Sequence, residues 1–170
     1  MSRAWLLGNA LWLQAGWWAC VLGARHPWLL WGVVVGLLVH LWLCPDWRAE
    51  LRVVFGGGLA GGVLDAGLGA AGIFDFAQWP LPLWLALLWL VLASGLRHSL
   101  AWARSPLWLG ALCGMSGAPL AYLAGARLAG VGLPLGGLVT ALVLAVVWGV
   151  WFPLCLRWAG GAIRAAKRLS

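Results

Sequence analysis

Apolar residues run along this chain in six long blocks, and most polar positions fall between them. A membrane-spanning helix needs about 20 predominantly apolar residues. The blocks therefore predict six spans, near 4–23, 28–44, 53–73, 82–99, 107–126 and 135–157. Four of the five breaks read "ARHP", "PDWRAELR", "FDFAQWPLP" and "ARSP". Each carries proline, which fits poorly inside a helix. The expected fold is all-α: one polytopic six-helix membrane domain over 1–170, ending in a basic tail at 158–170.

Composition supports lipid as the solvent. The chain is 64% hydrophobic and 9% charged, against about 25% charged in a soluble domain. Mean hydropathy is +0.96. Apolar runs recur to the last block, so a signal peptide does not account for them. The net charge of +7 is spread over segment ends, which argues against nucleic acid and for a bilayer.

Charge also orients the chain. With the N-terminus inside, Arg3, Arg48, Arg52, Arg97, Arg104, Arg157, Arg164, Lys167 and Arg168 share that side, and Arg25 and Arg127 face out. The positive-inside bias puts both termini in the cytoplasm. The tail "AIRAAKRLS" reads as an anchor at that face. Trp5, Trp47, Trp102, Trp108 and Trp158 fall near the inner interface, and Trp17, Trp18, Trp28, Trp79 and Trp84 near the outer one. Trp12, Trp89 and Trp148 lie deeper, as pocket lining or helix filling.

Glycine concentrates in the third and fifth blocks. Gly57-x-x-x-Gly61, Gly58-x-x-x-Gly62 and Gly110-x-x-x-Gly114 are small-residue packing motifs, with Gly117, Pro119 and Gly125 following. They predict that helices three and five are central and that helices two, four and six face lipid more broadly. The same motif serves a homodimer or packing within one chain.

Polar residues inside the blocks are the functional candidates. Asp65, in "GGVLDAGLGAAG", lies about 18 Å from the inner edge of the third span. A carboxylate there costs about 2.5–3.5 kcal/mol on insertion scales, so it must pair, face the bundle or be protonated. Gln14, Tyr122, Arg127 and Thr140 are its expected neighbours in an outward-facing polar pocket. Asn9, His40, Ser94, Arg97 and His98 form a second set on the cytoplasmic side, an interfacial anchor or a site for lipid phosphates. Three roles stay open for Asp65: a helix lock, a ligand or ion site, and an acid–base group. Asp46, Glu50 and Asp75 are expected in loops. Cys20, Cys44, Cys113 and Cys155 read as packing residues, none next to a histidine at metal spacing. No metal, cofactor or catalytic motif is expected.

Several stretches carry a resemblance. "GNALWLQAGWWACVLGA", "GGVLDAGLGAAGIFDF", "WPLPLWLALLWLVLASGLRHSLAW" and "SGAPLAYLAGARLAGVG" resemble, in that order, a bacterial inner-membrane family catalogued as domain of unknown function 2878. The resemblance implies an inner-membrane architecture and carries no activity with it. Size and hydropathy are also similar to those of vitamin-transporter binding subunits and of a small subunit of the elongation machinery, by analogy alone. The expected function is to bind or pass a small or lipidic molecule around Asp65. The alternatives are an accessory subunit of a membrane complex, with a protein partner, and an enzyme of lipid metabolism.

Overall fold

The structure is a computed structural model. It describes residues 2–167, with side chains for residues 2–161. The far part of the expected basic tail, including the side chains of Arg164, Lys167 and Arg168, lies outside the described side chains. The described residues form six α-helices: α1 (Arg3–Gly23), α2 (Leu29–Leu43), α3 (Trp47–Ala70), α4 (Leu83–Ala93), α5 (Leu107–Ala129) and α6 (Gly136–Lys167). A short 3₁₀ turn over Ala101–Arg104 precedes α5. Among the described residues, three segments are long and apolar enough to cross a membrane: α3, α5 and Gly136–Gly161 of α6. The apolar helices α2 and α4 are shorter, at 15 and 11 residues.

Three boundaries differ most from the sequence expectation, two of them for a local reason. Helix α3 starts at Trp47 rather than near 53, because the Asp46 carboxylate caps it by accepting from the Ala49 N–H at 3.2 Å. Glu50 is thereby helical and not in a loop. Helix α4 stops at Ala93 rather than near 99. There the Ser94 hydroxyl donates back to the Val91 carbonyl at 2.6 Å. The following N–H groups of Gly95, Leu96 and His98 bond three residues back, in tighter turns. Helix α6 continues beyond 157 to Lys167, so the start of the expected tail extends the last helix.

Packing follows one plan. Helix α1 touches α2 and α5, α5 touches α6, α6 touches α3, and α3 touches α2, closing a ring of five helices. Helix α4 packs against α1, α2 and α3. Leu85, Leu87, Trp89, Val91 and Ala93 are all buried, and Leu83 is its one exposed residue. This corrects the expectation that helix four faces lipid: a helix apolar on every side belongs in a core as readily as in a bilayer. Helices α2 and α6 do expose apolar rows, including Trp31, Leu38 and Trp42 on α2 and Leu142, Val146 and Val150 on α6.

The glycines explain the close approaches. A Cβ at Gly58 or Gly61 would collide with Leu90 or the Trp89 ring, so the α3 glycine face is the seat of α4. A Cβ at Gly114 would collide with the Trp148 carbonyl of α6, and one at Gly110 would lie 2.8 Å from the Ala103 carbonyl. Gly57 is tight as well, at 3.0 Å from Ala93. Gly62, Gly117 and Gly125 have room, so they are not contact points of that kind. Helices three and five do not pack directly on each other; each seats another helix.

Gly114→Ala is expected to lower thermal stability in detergent by about 1–3 kcal/mol, because α6 presents backbone there and must move. Gly67→Ala, where the added methyl meets nothing within 4 Å, is expected to be neutral or to gain up to about 1 kcal/mol. Thermal unfolding of the two variants beside wild type checks the pair.

Candidate functional site

Because α4 does not pack on α5 or α6, a space opens between them. It is a cavity of about 290 Å³. Its walls come from α1 (Trp17), α4 (Trp84, Trp89), α5 (Gly117, Tyr122) and α6 (Trp148), with further apolar residues between. The Trp89 and Trp148 rings stack with centroids 5.2 Å apart. Phe74, from the loop after α3, stacks on Tyr122 at 5.5 Å. That loop is pinned over one end of the cavity by an antiparallel bridge. The Asp75 N–H donates to the Gly132 carbonyl at 3.0 Å, and the Gly132 N–H donates back at 3.3 Å.

Asp65 stands behind this wall. Its side chain is fully buried and does not line the cavity. The Trp89 indole N–H donates to Asp65 Oδ2 at 2.7 Å. The Tyr122 hydroxyl donates to the same carboxylate, 2.8 Å from Oδ1 and 2.9 Å from Oδ2. One carboxylate on α3 thus fixes one ring on α4 and one on α5. The other expected neighbours are elsewhere. Gln14 and Arg127 are exposed, and among the described residues neither bonds to Asp65. Thr140 is fully buried on α6, and its hydroxyl has no partner among the described residues. The pocket beside Asp65 is apolar and aromatic, where the sequence pointed to a polar one.

A second buried carboxylate, Glu50, organises the opposite end of α3. It is also fully buried. His40 Nε2 lies 3.0 Å from Oε1, His98 Nε2 lies 3.1 Å from Oε2, and Arg97 donates to Oε2 at 3.2 Å. Arg97 also reaches Asp46 at 3.6 Å. The basic pair Arg97 and His98 turns inward onto Glu50 rather than out to lipid phosphates. Cys44, at the end of α2, sits 3.7 Å from both histidine Nε2 atoms. The expectation that no cysteine neighbours a histidine at ligand spacing fails here, because His40-x-x-x-Cys44 places both on one face of α2. His40, Cys44, Glu50 and His98 are thus the residues equipped to hold a cation.

Asn9 and Ser94 close this end structurally. Asn9 donates to the Ser94 carbonyl at 3.2 Å and accepts from the Ser99 hydroxyl at 2.6 Å and the Ser99 N–H at 3.1 Å. The Trp12 indole donates to the Ser94 hydroxyl at 3.0 Å. Sequence reasoning missed Glu50 because the preceding break was read as running past it. The signal was present: an acid closely following a capping Asp, at the mouth of an apolar run. His98 and Asp65, paired as acid and base in the enzyme alternative, belong to separate clusters.

Comparison with known proteins adds one finding. No curated protein and no solved structure matches the chain. A family model does, over residues 6–154, most of the chain. The chain belongs to the family described as Protein of unknown function (DUF2878).

Proposed function

We propose that this chain is a multi-pass protein of the bacterial inner membrane that binds, and in doing so passes or retains, a small apolar or lipidic molecule. The supporting observation is the cavity between α4 and the α5–α6 pair. Its volume of about 290 Å³ falls just below the usual range of ligand pockets, about 300–1,000 Å³, which suits a small guest. Its walls are aromatic rings and aliphatic chains, which favour an apolar guest through dispersion and area burial. Asp65 acts on the guest through Trp89 and Tyr122, whose rings it holds in place. Six spans with both termini in the cytoplasm fit the distribution of Lys and Arg along the sequence. The exposed apolar rows of α2 and α6 fit a lipid surface.

One substitution separates a binding pocket from a packing defect. Gly117 lines the cavity, and a Cβ added there meets nothing within 4 Å. Gly117→Leu is therefore expected to fill the space, keep thermal stability and lose the guest. Native mass spectrometry with lipid and metabolite identification is the readout. A defined molecule carried by wild type and missing from Gly117→Leu supports the reading; identical bulk lipids on both contradict it.

At Asp65 the expected order is Asn above Leu. In Asp65→Asn the amide still accepts from Trp89 and donates to the Tyr122 oxygen. In Asp65→Leu both donors lose their acceptor, at about 1–3 kcal/mol each. The measured melting temperatures, with guest retention beside them, are expected to fall in that order.

A further inference from the structure

We infer that His40, Cys44, Glu50 and His98 form a closed structural site for a zinc-type divalent cation. The site lies at the opposite end of α3 from Asp65 and stands independently of the cavity. One ligand atom from each residue lies within 4.8 Å of all the others. The donor set is two imidazole nitrogens, one sulfur and one carboxylate oxygen, the ligand types zinc takes in tetrahedral sites. With ordinary zinc–ligand bond lengths, the edges of such a tetrahedron are about 3.3–3.6 Å. Of the six edges, the two from Cys44 Sγ to the histidine Nε2 atoms are 3.7 Å each, the histidines approach separate oxygens of Glu50 at 3.0 and 3.1 Å, and every remaining pair lies within 4.8 Å. A bound cation would draw the most widely spaced donors together by up to about 1.5 Å and shift the closer ones by a few tenths of an ångström.

Charge and burial agree with that assignment. A Cys44 thiolate and a Glu50 carboxylate together neutralise a divalent cation, which suits a site where Glu50 is fully buried and His98 is 10% exposed. Arg97 donates to Glu50 from outside the donor set and is balanced in turn by Asp46, as an outer-shell partner does. Four protein ligands with little exposure make a closed site, the structural class rather than the catalytic one. The cation would clasp the end of α2, the start of α3 and the turn after α4.

One contact sets a condition on loading. The Trp5 indole donates to His98 Nδ1 at 3.1 Å, and an indole N–H only donates. With no cation bound, Nδ1 is therefore the acceptor, and the ring proton sits on Nε2, facing Glu50 at 3.1 Å. When a cation takes Nε2, that proton moves to Nδ1 and the Trp5 bond is lost. The His40 proton likewise moves to Nδ1. The Cys44 thiol releases one proton to solvent. Trp5 thus opposes loading, and the phenylalanine variant removes that opposition while keeping the ring stacked on His40, whose centroid is 6.0 Å away.

The test uses the full chain in detergent, stripped with chelator and titrated with Zn²⁺ and with Co²⁺. The expected result is one cation per chain, a rise in thermal stability, and a cobalt–thiolate charge-transfer band. Cys44→Ser is expected to abolish the band and weaken binding at least about tenfold. A variant with Cys20, Cys113 and Cys155 replaced keeps the band, and decides the matter if Cys44→Ser does not fold. Trp5→Phe is expected to bind zinc several-fold more tightly, a response that a purely hydrogen-bonded cluster does not give. No bound cation, a band absent from wild type, or a band that survives loss of Cys44 overturns the assignment.

Discussion

A carboxylate buried away from water must find donors, and helix α3 carries two of them. Glu50 and Asp65 are both fully buried and stand about 22 Å apart along the same helix. Each leaves its own helix to be satisfied. Glu50 draws on α2 and the turn after α4, and Asp65 draws on α4 and α5. The cost of an unpaired charge at that depth is large, so these contacts fix which helices stand beside α3 and in what register. The rest of the bundle is arranged around them.

Helix α4 shows how this constraint becomes a cavity. It is about 16 Å long, short for a span, and packs inside the ring on the glycine face of α3. Leaning on α1, α2 and α3, it leaves space on its far side, towards α5 and α6. Aromatic rings line that space in place of a packed core. Trp89 belongs to both regions at once. Its ring faces the glycine seat and the cavity, and its N–H holds Asp65.

The sequence was legible where one residue type dominates a long stretch. The blocks yielded six helices; the glycine motifs pointed to α3 and α5 as central, whereas each lies in the ring and uses its glycine face to seat another helix. Tyr122 was one of four neighbours expected for Asp65 from depths counted along the helices, and among the described residues it is the one of the four that bonds to the carboxylate. Lateral placement was not legible. Gln14 and Asp65 have comparable depth, yet Gln14 is exposed, since depth does not say which face of a helix turns inward. Helix α4 was misplaced because apolarity on every side fits lipid and core equally. His40, Arg97 and His98 were grouped on one side of the bundle, but Glu50, which joins them, was missed because a helix boundary set a few residues late left it in a loop, and Cys44 was read as packing.

The central claim is that a cross-helix bond to a buried carboxylate holds the bundle in register. A double-mutant cycle between Asp65→Leu and Tyr122→Phe, read by reversible unfolding in detergent, tests it most directly. Such bonds inside membrane proteins couple by roughly 0.6 kcal/mol on average and up to about 1.7. With a carboxylate acceptor, the account predicts a coupling of about 1 kcal/mol or more. Energies that add within about 0.3–0.5 kcal/mol would mean that the bond carries none of the packing assigned to it.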